Sequence, residues 1–561
     1  MNDSKGLLHG LCFDWERPPI VEANSLGEAL RIIRGISAKH DSGSVEDDAF
    51  YPEVVEFAKH LLPLLKPGAT AMVSCDYDVD GVVSGIILSA TLRQFGVQPK
   101  VFLPDRFIDG YGVGHTAVRK EFNRGGFDFL ITADCGSADL PRLSSFGEDA
   151  RVPIFVIDHH IGGATATSDR VIELNPSRYP DLRAIDYCAA VLVGMLAHAL
   201  GKDAPSLRGM ITDLSAIGGL AAIADCASSL GIASRSMMRD LLSHGPNSQI
   251  HGLRALFTAA DVSKPSTSDI AFRLAPMVNA AGRLQHAKTA FQLFDSPTFA
   301  EACTIAGKLA DLNQRRKALQ HQIVSDALAV HEQCQGRVLI HWADDWHPGV
   351  VGPAAGELAE LLNIPVLLGA KLQGQGCYTF SARTAQGVNI HQLVSGCADG
   401  LPLHFGGHSQ AMGLRASCNA DGVAALHILR ERLLLAAPQP ARRRKTIDRY
   451  LSIATANWKN FAECMLLEPF DSNDNRTPCL CIPDVAIALR PSTSNQLTMR
   501  GEIEDRDGRI LEVLSFRNRQ IAEVRTMRGH VVGQLMDSNF RGRRTLKLLI
   551  QDIIPTDSSA G

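Results

Sequence analysis

The sequence predicts an α/β chain of several domains that ends in a small β-barrel. Its 561 residues are too many for a single hydrophobic core. Short apolar runs alternate with helical patterns over residues 69–223 and again over 338–368, which is typical of parallel sheets covered by helices. After residue 445, five short strand-like runs are separated by turns, and this favours a barrel of the OB type.

The first α/β region is predicted at residues 51–245, after a mixed N-terminal segment at 1–50. A helical pattern over 51–65 is stopped by Pro67-Gly68. The short apolar runs that follow predict buried strands at 69–74, 100–103, 127–132, 152–157 and 170–174. Ligands of such sheets bind outside the carboxyl ends of the strands, so the residues that follow these runs are candidates for a site.

The rest of the chain is predicted to hold three further parts. A connecting helical region at 246–332 includes one long helix over about 294–331, and a second α/β domain follows at 333–437. Residues 438–445 have the composition of a linker. The OB-like domain is predicted at 445–555, with strands at 485–489, 497–503, 511–516, 530–536 and 545–550.

Composition places the chain among soluble globular proteins, with 45% hydrophobic and 21% charged residues. There is no apolar stretch long enough to cross a bilayer and no signal-peptide pattern, so we expect a cytoplasmic protein without a membrane partner. The thirteen cysteines form no paired framework and are expected to be reduced. From residue 440 onward, 19 Lys and Arg face 15 Asp and Glu, so this tail carries +4 and the first 439 residues carry −8 of the total −4. A basic tail suits a polyanion.

Metal-ligand side chains follow three of the predicted strands. The segments are Asp76-Tyr77-Asp78-Val79-Asp80-Gly81, Thr132-Ala133-Asp134-Cys135-Gly136 and Val156-Ile157-Asp158-His159-His160. Because the carboxyl ends of parallel strands meet at one edge of a sheet, these side chains are expected to converge. Asp225 ends an apolar helix predicted at 210–223. It is interpreted as a functional residue only because the three strand-end segments are also present.

The residue types favour a divalent metal. Clustered carboxylates repel one another and suit Mg²⁺ or Mn²⁺, and imidazole shifts the preference toward Mn²⁺ or another transition metal. A carboxylate shared by two ions is the arrangement that activates water for phosphoryl displacement. A solvated acidic loop or a calcium loop remains an alternative for residues 76–81, although no Glu follows at the spacing of an EF-hand.

Taken in order, the motifs resemble those of the single-stranded-DNA-specific 5′→3′ exonucleases of the DHH phosphoesterase superfamily. The resemblance runs from about residue 50 to 420 and is looser beyond 445. The matching motifs are Asp76-Tyr-Asp-Val-Asp-Gly81, Pro104-Asp-Arg-Phe-Ile-Asp-Gly-Tyr-Gly112, Ala133-Asp-Cys-Gly136, Asp158-His-His160, Ala224-Asp225, Pro276-Met-Val-Asn-Ala-Ala-Gly-Arg283, Asn313-Gln-Arg-Arg316, Gly349-Val-Val-Gly352, Ser381-Ala-Arg383, Gly406-Gly-His408, Glu468-Pro-Phe470 and Asn539-Phe-Arg-Gly542.

The resemblance implies a centre of two divalent ions, Mn²⁺ or Mg²⁺. It implies that Asp78 and Asp80 each take one metal, that Asp134 bridges both, and that His159 and Asp225 complete the ligand set. Asp76 would lie in or beside that set. The catalytic roles implied for the remaining two residues are His160 at the scissile phosphate and Asp158 orienting the imidazoles.

The resemblance also implies which residues bind the substrate. Arg106, Arg283, Ser381 and Arg383 match positions that hold the terminal 5′ phosphate and nearby backbone, for which the arginine fork is well suited. Asn279 lies in the same motif as Arg283. The backbone of Gly406, Gly407 and His408 would approach the strand closely.

The chain departs from the family pattern in three places. Ser74-Cys75 stands where many relatives have His-Gly, which makes Asp76 the candidate substitute ligand. Glu357 occupies the usual place of an arginine near the DNA path. A glycine-rich turn after Pro-Phe is replaced by Asp471-Ser472-Asn473-Asp474-Asn475. These departures bear on substrate affinity and processivity more than on chemistry.

The resulting hypothesis is a metal-dependent 5′→3′ exonuclease that hydrolyses phosphodiester bonds of single-stranded DNA in recombination and repair. Its partners would be the 5′ end of a single strand, a helicase and a single-strand-binding protein, and the chain is expected to act as a monomer. One alternative is a phosphodiesterase of the same superfamily acting on short oligonucleotides or cyclic dinucleotides. The other is an inactive DNA-binding scaffold, which would require missing ligands.

Overall fold

The chain forms two compact units in the computed structural model. The described residues are 7–110, 112–113, 116–163, 165–182, 185–334, 336–384, 387–439, 443–472, 475–492, 498–516, 518–540 and 543–556. One unit, called here the parallel-sheet unit, comprises Ser37–Leu319 and Pro469–Arg476. The other, called here the composite unit, comprises Met1–Ile36, Gln320–Glu468 and Thr477–Gly561.

The strands are given in chain order with their bounds. They are β1 (Leu7–His9), β2 (Asp14–Glu16), β3 (Thr70–Cys75), β4 (Gln98–Phe102), β5 (Phe129–Ala133), β6 (Ile154–Ile157), β7 (Val171–Leu174), β8 (Leu339–Ala343), β9 (Val366–Leu372), β10 (Cys377–Arg383), β11 (Leu403–Gly407), β12 (Ala411–Ser417), β13 (Arg444–Thr446), β14 (Arg449–Tyr450), β15 (Leu480–Pro491), β16 (Met499–Glu504), β17 (Ile510–Ser515), β18 (Thr526–Phe540) and β19 (Arg543–Pro555).

The helices follow in the same way. They are α1 (Leu26–Arg34), α2 (Ala38–Ser42), α3 (Tyr51–Leu61), α4 (Val79–Gln94), α5 (Thr116–Gly125), α6 (Leu140–Ala150), α7 (Ala189–Leu200), α8 (Pro205–Arg208), α9 (Ile211–Ala224), α10 (Ile232–His244), α11 (His251–Ala259), α12 (Thr267–Asp269), α13 (Ala275–Leu284), α14 (Lys288–Phe294), α15 (Phe299–Cys334), α16 (Val351–Leu362), α17 (Ile390–Ala398), α18 (Ala420–Ala436), α19 (Trp458–Met465) and α20 (Arg519–Ala522).

A five-stranded parallel sheet forms the centre of the parallel-sheet unit. Its strand order is β4-β3-β5-β6-β7, so β5 lies between β3 and β6. All residues of β5 and β6 are buried, because the sheet is covered on both faces, and this explains their uninterrupted apolar sequences. Helices α4, α7 and α9 pack together in the main core of this unit. The predicted strands and their order in the chain are therefore confirmed, with bounds shifted by one or two residues.

The composite unit contains a second α/β fold. Its sheet has the strand order β11-β12-β10-β9-β8. Only the β8–β9 pair is parallel, and the other pairs are antiparallel. Helix α16 packs on β9 and β10, while α17 and α18 pack together and contribute to the apolar core of this fold. The second α/β domain predicted from the sequence is thus present, with more antiparallel pairing than its alternating pattern suggested.

The C-terminal strands of the composite unit close into a barrel. The sheet runs β15-β16-β17-β19-β18, and β18 pairs again with β15. Strands β17 and β19 are parallel, and the other pairs among these five are antiparallel. Closure leaves no free edge among these strands, as in an OB-fold. The prediction of a five-stranded barrel is confirmed, with β15, β18 and β19 longer than the sequence indicated.

Residues near the N-terminus pack on this barrel. The buried Asp552 carboxylate accepts hydrogen bonds from the Trp15 indole at 2.8 Å and from the backbone N–H groups of Cys12 and Phe13. Strand β2 pairs in parallel with β13. Interpreting residues 438–445 as a simple linker was therefore wrong at its C-terminal end, where β13 begins at Arg444 and is fixed by this pairing.

Two expectations from composition can be checked against the described part of the chain. None of its helices is long and apolar enough to cross a membrane. The cysteines whose side chains are described are free thiols, in agreement with the expected reduced state.

Candidate metal centre

The carboxyl ends of three neighbouring strands bring the predicted ligands together. Asp76 follows the last residue of β3, Asp134 follows β5 and Asp158 follows β6. The backbone N–H of Asp134 donates to the Ile157 carbonyl at 3.0 Å, which extends the pairing of β5 and β6 to the site itself. The expected convergence at one sheet edge is therefore present.

Glycine makes the turn after β3 possible. A Cβ on Gly81 would lie 2.3 Å from the Asp76 carbonyl oxygen, so this position excludes a larger residue. The Asp78 side chain caps α4 by accepting hydrogen bonds from the N–H groups of Asp80 and Gly81. The segment therefore leads from a strand straight into a helix and does not form the helix–loop–helix of an EF-hand.

Three overlapping groups of side chains could each hold a metal ion. In each group the ligand atoms lie within 4.8 Å of one another. The groups are Asp76, Asp78 and Asp134; Asp80, His159 and Asp225; and Asp134, His159 and His160. Asp134 and His159 each belong to two of them, and of the two only Asp134, a carboxylate, has the two oxygens that suit a bridging ligand.

Burial and mutual repulsion disfavour ionisation in this cluster. Burial and the charge of Asp78 raise the pKa of Asp76 well above its usual value. Burial and the charges of Asp80 and Asp78 do the same for Asp134. Asp134 also has a left-handed backbone, with φ of 62°. Among the described residues, none donates a hydrogen bond to Asp76 Oδ1, although this oxygen is buried.

The side chain of Asp80, a residue of the first turn of α4, lies at the N-terminus of α7. Its carboxylate accepts hydrogen bonds from the N–H groups of Ala189 at 2.7 Å and Ala190 at 2.8 Å. A helix N-terminus stabilises negative charge, which makes this buried carboxylate tolerable. Burial nevertheless raises the pKa of Asp80, against the effects of His159 and the two N–H groups.

The imidazole of His159 faces three carboxylates. Its Nε2 lies 3.4 Å from Asp134 Oδ1, 3.6 Å from Asp225 Oδ2 and 3.9 Å from Asp80 Oδ2. Burial lowers the pKa of His159, an effect that the charge of Asp80 opposes. A neutral imidazole whose nitrogen points at carboxylates has the form of a metal ligand.

Asp158 and His160 form a tight pair. The Asp158 Oδ1 atom accepts a hydrogen bond from His160 Nδ1 at 2.7 Å, and Oδ2 accepts from the Ser137 N–H at 2.9 Å. Burial opposes ionisation of Asp158, but the hydrogen bond and charge of His160 lower its pKa to about 2. Burial alone would lower the pKa of His160, whereas the bond to Asp158 and its charge raise it to about 9.

The cluster fits a divalent cation. Carboxylate oxygens with one imidazole are the donors that Mn²⁺ accepts, and the oxygens alone suit Mg²⁺. The buried Asp76 Oδ1 atom lacks a described donor, and burial together with the neighbouring carboxylates raises the pKa values of Asp76 and Asp134. A bound divalent cation would satisfy both conditions.

The sequence did not reveal the residues that hold the Asp158–His160 segment. Asn175, which is fully buried, donates to the His160 carbonyl at 3.0 Å and to Ser137 Oγ at 2.7 Å. Glu173 accepts from Ser137 Oγ and from Arg178. Glu173 lies in β7 and Asn175 directly follows this strand, and these positions were their only local signal.

Arg106 and the α13 motif also lie near the carboxylate segment. The Arg106 guanidinium stacks on the Tyr77 ring, 4.3 Å from its centroid, and its charge favours ionised Asp76. The Asn279 Oδ1 atom accepts from the Val79 N–H at 3.2 Å. A Cβ on Gly282 would lie 2.5 Å from the Tyr77 carbonyl oxygen, so this glycine lets α13 pack directly on the turn. Arg283 follows it, half-buried.

The other predicted substrate residues belong to the composite unit. Arg383 Nη1 donates to Ser381 Oγ at 2.9 Å, and both side chains lie against Gly352 near the start of α16. A Cβ on Gly407, whose φ is 140°, would meet Met412 Cα at 2.5 Å, so the hairpin itself requires this glycine. Gly406 faces open space. The His408 N–H donates to the Ala411 carbonyl, which closes the same hairpin.

An open groove of about 560 Å³ runs over the outer face of the barrel. Its lining includes the exposed side chains of Arg490, Arg500 and Arg525. Neither Arg490 nor Arg500 makes an ion pair with another described residue. The remaining lining cation, Lys547, is 2.8 Å from Glu512. The excess of positive charge in the tail is therefore partly concentrated in one groove.

Three residues at which the chain departs from the family pattern, Ser74, Cys75 and Glu357, lie within the described residues. Ser74 and Cys75 are buried within β3, and neither belongs to the candidate metal groups of the described residues. Glu357 accepts a hydrogen bond from Gln320 at 2.7 Å. Tyr111, Asn473, Asp474, Arg541 and Gly542 lie outside the described residues.

Three family models match the chain in succession. They are the DHH family N-terminal domain at residues 70–219, the DHHA1 domain at 335–433 and the RecJ OB domain at 447–552. The first covers the carboxylate and histidine cluster up to His160, and the third covers the barrel. The chain therefore combines a DHH domain, a DHHA1 domain and a RecJ OB domain.

Two curated relatives that match this chain carry the same name. The chain is 28% identical over 494 residues to the single-stranded-DNA-specific exonuclease RecJ of Bacillus subtilis, covering 86% of this chain and 61% of that protein. It is 32% identical over 361 residues to RecJ of Thermus thermophilus, covering 64% and 51%. The chain thus spans between half and two thirds of the length of these relatives.

Solved structures show the same fold. RecJ from Thermus thermophilus in complex with Mn²⁺ has a TM-score of 0.77 at 23% identity, covering 95% of this chain and 76% of that one. The same protein in complex with Mg²⁺ has a TM-score of 0.70 at 22% identity, covering 95% and 75%. This likeness shows that the chain, with its DHH, DHHA1 and RecJ OB domains in this order, has the fold of these RecJ structures.

Proposed function

We propose that this chain is a metal-dependent exonuclease that hydrolyses phosphodiester bonds of single-stranded DNA from the 5′ end, in DNA recombination and repair. The observation that carries the proposal is the Asp and His cluster at the ends of β3, β5 and β6. Its place in a chain that also has a DHHA1 domain and a RecJ OB domain supports DNA as the substrate.

We propose that the cluster holds two divalent ions, Mn²⁺ or Mg²⁺. The ligands would be Asp76, Asp78, Asp80, Asp134, His159 and Asp225, with Asp134 shared between the ions. The RecJ structures that contain Mn²⁺ and Mg²⁺ support this assignment. When bound, such ions supply an activated water and neutralise charge on the attacked phosphate.

His160 would act on the leaving group. Its pKa of about 9 keeps the ring protonated at neutral pH, and Asp158 holds the Nδ1 proton. The Nε2 proton is then available to the scissile phosphate and to the departing oxygen. Asp158 fixes the ring plane, and it also accepts from the backbone N–H groups of His159 and His160.

Basic side chains would select a strand end. We propose that Arg106 and Arg283, with Asn279, bind substrate beside the metal centre. In the composite unit, Ser381 and Arg383 would hold phosphate oxygens, and the Gly406-Gly407-His408 hairpin would lie along the strand. The Arg106 guanidinium is ordered by Tyr77 before substrate arrives, which lowers the entropy cost of binding phosphate.

The barrel groove would track the rest of the strand. Arg490, Arg500 and Arg525 supply positive charge without base recognition, which suits sequence-independent binding of a single strand. We further propose a cytoplasmic monomer divided into the domains 1–50, 51–245, 246–332, 333–437 and 445–555. A helicase and a single-strand-binding protein, which together generate and present ends, would be its partners.

Digestion of end-labelled DNA tests the proposal. Single strands and duplexes, labelled at either end, are incubated with the protein in Mn²⁺, Mg²⁺ or EDTA. We expect mononucleotide label to be released at once from 5′-labelled single strands and only late from 3′-labelled ones, and in both cases only with metal. Cleavage confined to cyclic dinucleotides or di- and trinucleotides, attack from the 3′ end, or binding without cleavage would contradict it.

A further inference from the structure

A C-terminal segment is built into the parallel-sheet unit. Residues Pro469–Arg476 group with that unit, although the residues on either side of them belong to the composite unit. Phe470 is buried, and its backbone N–H donates to Thr267 Oγ1 at 3.2 Å. The fully buried Asn475 donates from Nδ2 to the Pro469 carbonyl at 2.8 Å, which closes the segment on itself. The described residues of the segment, 469–472 and 475–476, are therefore a folded part of the unit.

The segment contacts the loop that follows the proposed ligand Asp225. Asp471 Oδ2 accepts from the Ser229 N–H at 2.9 Å, and its Oδ1 accepts from the Asn475 N–H at 3.0 Å. Burial raises the pKa of the Cys226 thiol, and a hydrogen bond with the Ser472 side chain opposes this effect. Cys226 has a left-handed backbone, with φ of 57°.

A buried arginine joins the same two pieces of chain. The Arg235 side chain is completely buried, and its Nη1 donates to the carbonyl oxygens of Ser229 and Pro469, each at 3.4 Å. Its Nη2 lies 3.1 Å from Asp41 Oδ1, which compensates the charge. Both the loop and the segment are thus bonded to one fixed guanidinium.

Asp225 depends on this support more than Asp78, Asp80 and Asp158 do. Backbone N–H groups fix Asp78, Asp80 and Asp158 directly. By contrast, no described residue donates a hydrogen bond to the Asp225 carboxylate, which is 34% exposed and lies 3.6 Å from His159 Nε2. Asp225 ends α9, so its position is set by the helix before it and by the loop after it.

We propose that Asp471 is a positioning residue for the metal centre and that it acts by holding the loop that presents Asp225. The inference rests on the proposed metal site. It gives a role to the acidic segment that stands here in place of the family's glycine-rich turn: one carboxylate closes the segment on Asn475 and fastens it to the Ser229 backbone. The C-terminal part of the chain thus contributes to metal affinity without supplying a ligand.

The test measures Mn²⁺ binding by electron paramagnetic resonance on the full-length chain, without substrate. Asp471→Ala is expected to weaken binding of one ion by about tenfold, the effect usual for groups that orient metal ligands. Asp471→Asn, which keeps the side-chain shape and one acceptor oxygen, should lose less affinity and tests the same contact if the alanine variant does not fold.

Asp128→Ala is the matched control. Asp128 also accepts a hydrogen bond from a backbone N–H, that of Thr70 at 2.7 Å, but it lies just before β5 at the opposite end of the sheet. It should change the melting temperature and leave Mn²⁺ affinity unchanged. Equal affinity in wild type and both Asp471 variants, or an equal loss in Asp128→Ala, would overturn the inference. Absence of Mn²⁺ binding by the wild type would instead refute the proposed function.

Discussion

At the residue scale, the cluster is a set of charges that the folded protein holds together at a cost. Asp76 and Asp134 are buried beside other carboxylates, and repulsion and burial raise the pKa of each. A group whose pKa is higher in the folded than in the unfolded state destabilises the fold increasingly as pH rises above the unfolded value. The same arrangement becomes favourable once a divalent cation is bound.

Replacing Asp134 by Asn should therefore have opposite effects on stability with and without metal. Asn tolerates the left-handed backbone at this position, which Ala does not. In EDTA we expect the variant to melt on the order of a few degrees above wild type at neutral pH, with the difference shrinking as pH falls toward 4.

With saturating Mn²⁺, wild type should become the more stable protein because only its cluster retains the full charge. Differential scanning fluorimetry over this pH range, in EDTA and in Mn²⁺, measures the difference in melting temperature between the two proteins and its change of sign. A wild type that is more stable than Asp134→Asn in EDTA at neutral pH would contradict the account of repulsion.

The sequence predicted the cluster from Asp76 to His160 because a strand end localises side chains within a few residues. It could not place Asp225 without the resemblance, since nothing local links the end of α9 to the sheet. Asn175 was missed for the same reason: it acts on the His160 carbonyl across a turn.

At the element scale, the site depends on close packing between α13 and the turn after β3. Gly282 lies against the Tyr77 carbonyl, and Asn279 accepts from the Val79 N–H. The sequence predicted the strands and helices here because their apolar faces repeat regularly. It did not indicate that α13 contacts the carboxylate segment, because a glycine in a sequence shows that a close approach is possible but not which other element makes it.

Gly282→Ala should push α13 away from the turn. The added methyl group would lie 2.5 Å from the Tyr77 carbonyl oxygen, so we expect a loss of about 1–3 kcal/mol in the free energy of unfolding. Nuclease activity should fall as well, since the turn carries Asp76 and Asp78. Urea denaturation and the end-labelled digestion measure the two effects.

Gly307→Ala is the matched control, because Gly307 lies in α15 and faces open space. It should stabilise the protein by about 0.5–1 kcal/mol through helix propensity and leave activity unchanged. Equal stability of Gly282→Ala and wild type would refute the proposed close packing.

At the scale of the whole molecule, the order of the domains along the chain was predictable. It was not predictable that each compact unit would include segments distant in sequence from the rest of it. Composition and turn spacing indicated the barrel, and the run of motifs indicated the two α/β domains. The N-terminal strands join the barrel through Trp15 and Asp552, and residues 469–476 join the parallel-sheet unit. Such interactions join residues hundreds of positions apart and leave no periodic signal.

The barrel groove should control the salt dependence of DNA binding. Removing one cation that neutralises a phosphate reduces the slope of log K against log salt by about 0.7 for a single strand. Replacing Arg490, Arg500 and Arg525 by Ala should therefore flatten the slope by up to about two. Fluorescence anisotropy with labelled single strands at several salt concentrations measures it.

Point variants are preferable to deletion of residues 445–561, because that deletion would also remove Asp471, which lies before the barrel. Arg509→Ala is the control, since Arg509 lies on the same barrel but pairs with Asp505 and Asp507. An unchanged slope in the triple variant, or the same reduction in the control, would exclude the groove from the DNA path.

The most direct test of the central claim joins metal binding to hydrolysis in one pair of proteins. Wild type and Asp134→Asn are titrated with Mn²⁺ and then given a 5′-labelled single strand. We expect wild type to bind two ions and degrade the strand. The variant should lose the shared ligand and roughly a thousandfold in rate, or about 4 kcal/mol of transition-state stabilisation, while still binding the strand. Full activity of Asp134→Asn, or hydrolysis by wild type in EDTA, would contradict a metal-dependent site at the ends of β3, β5 and β6.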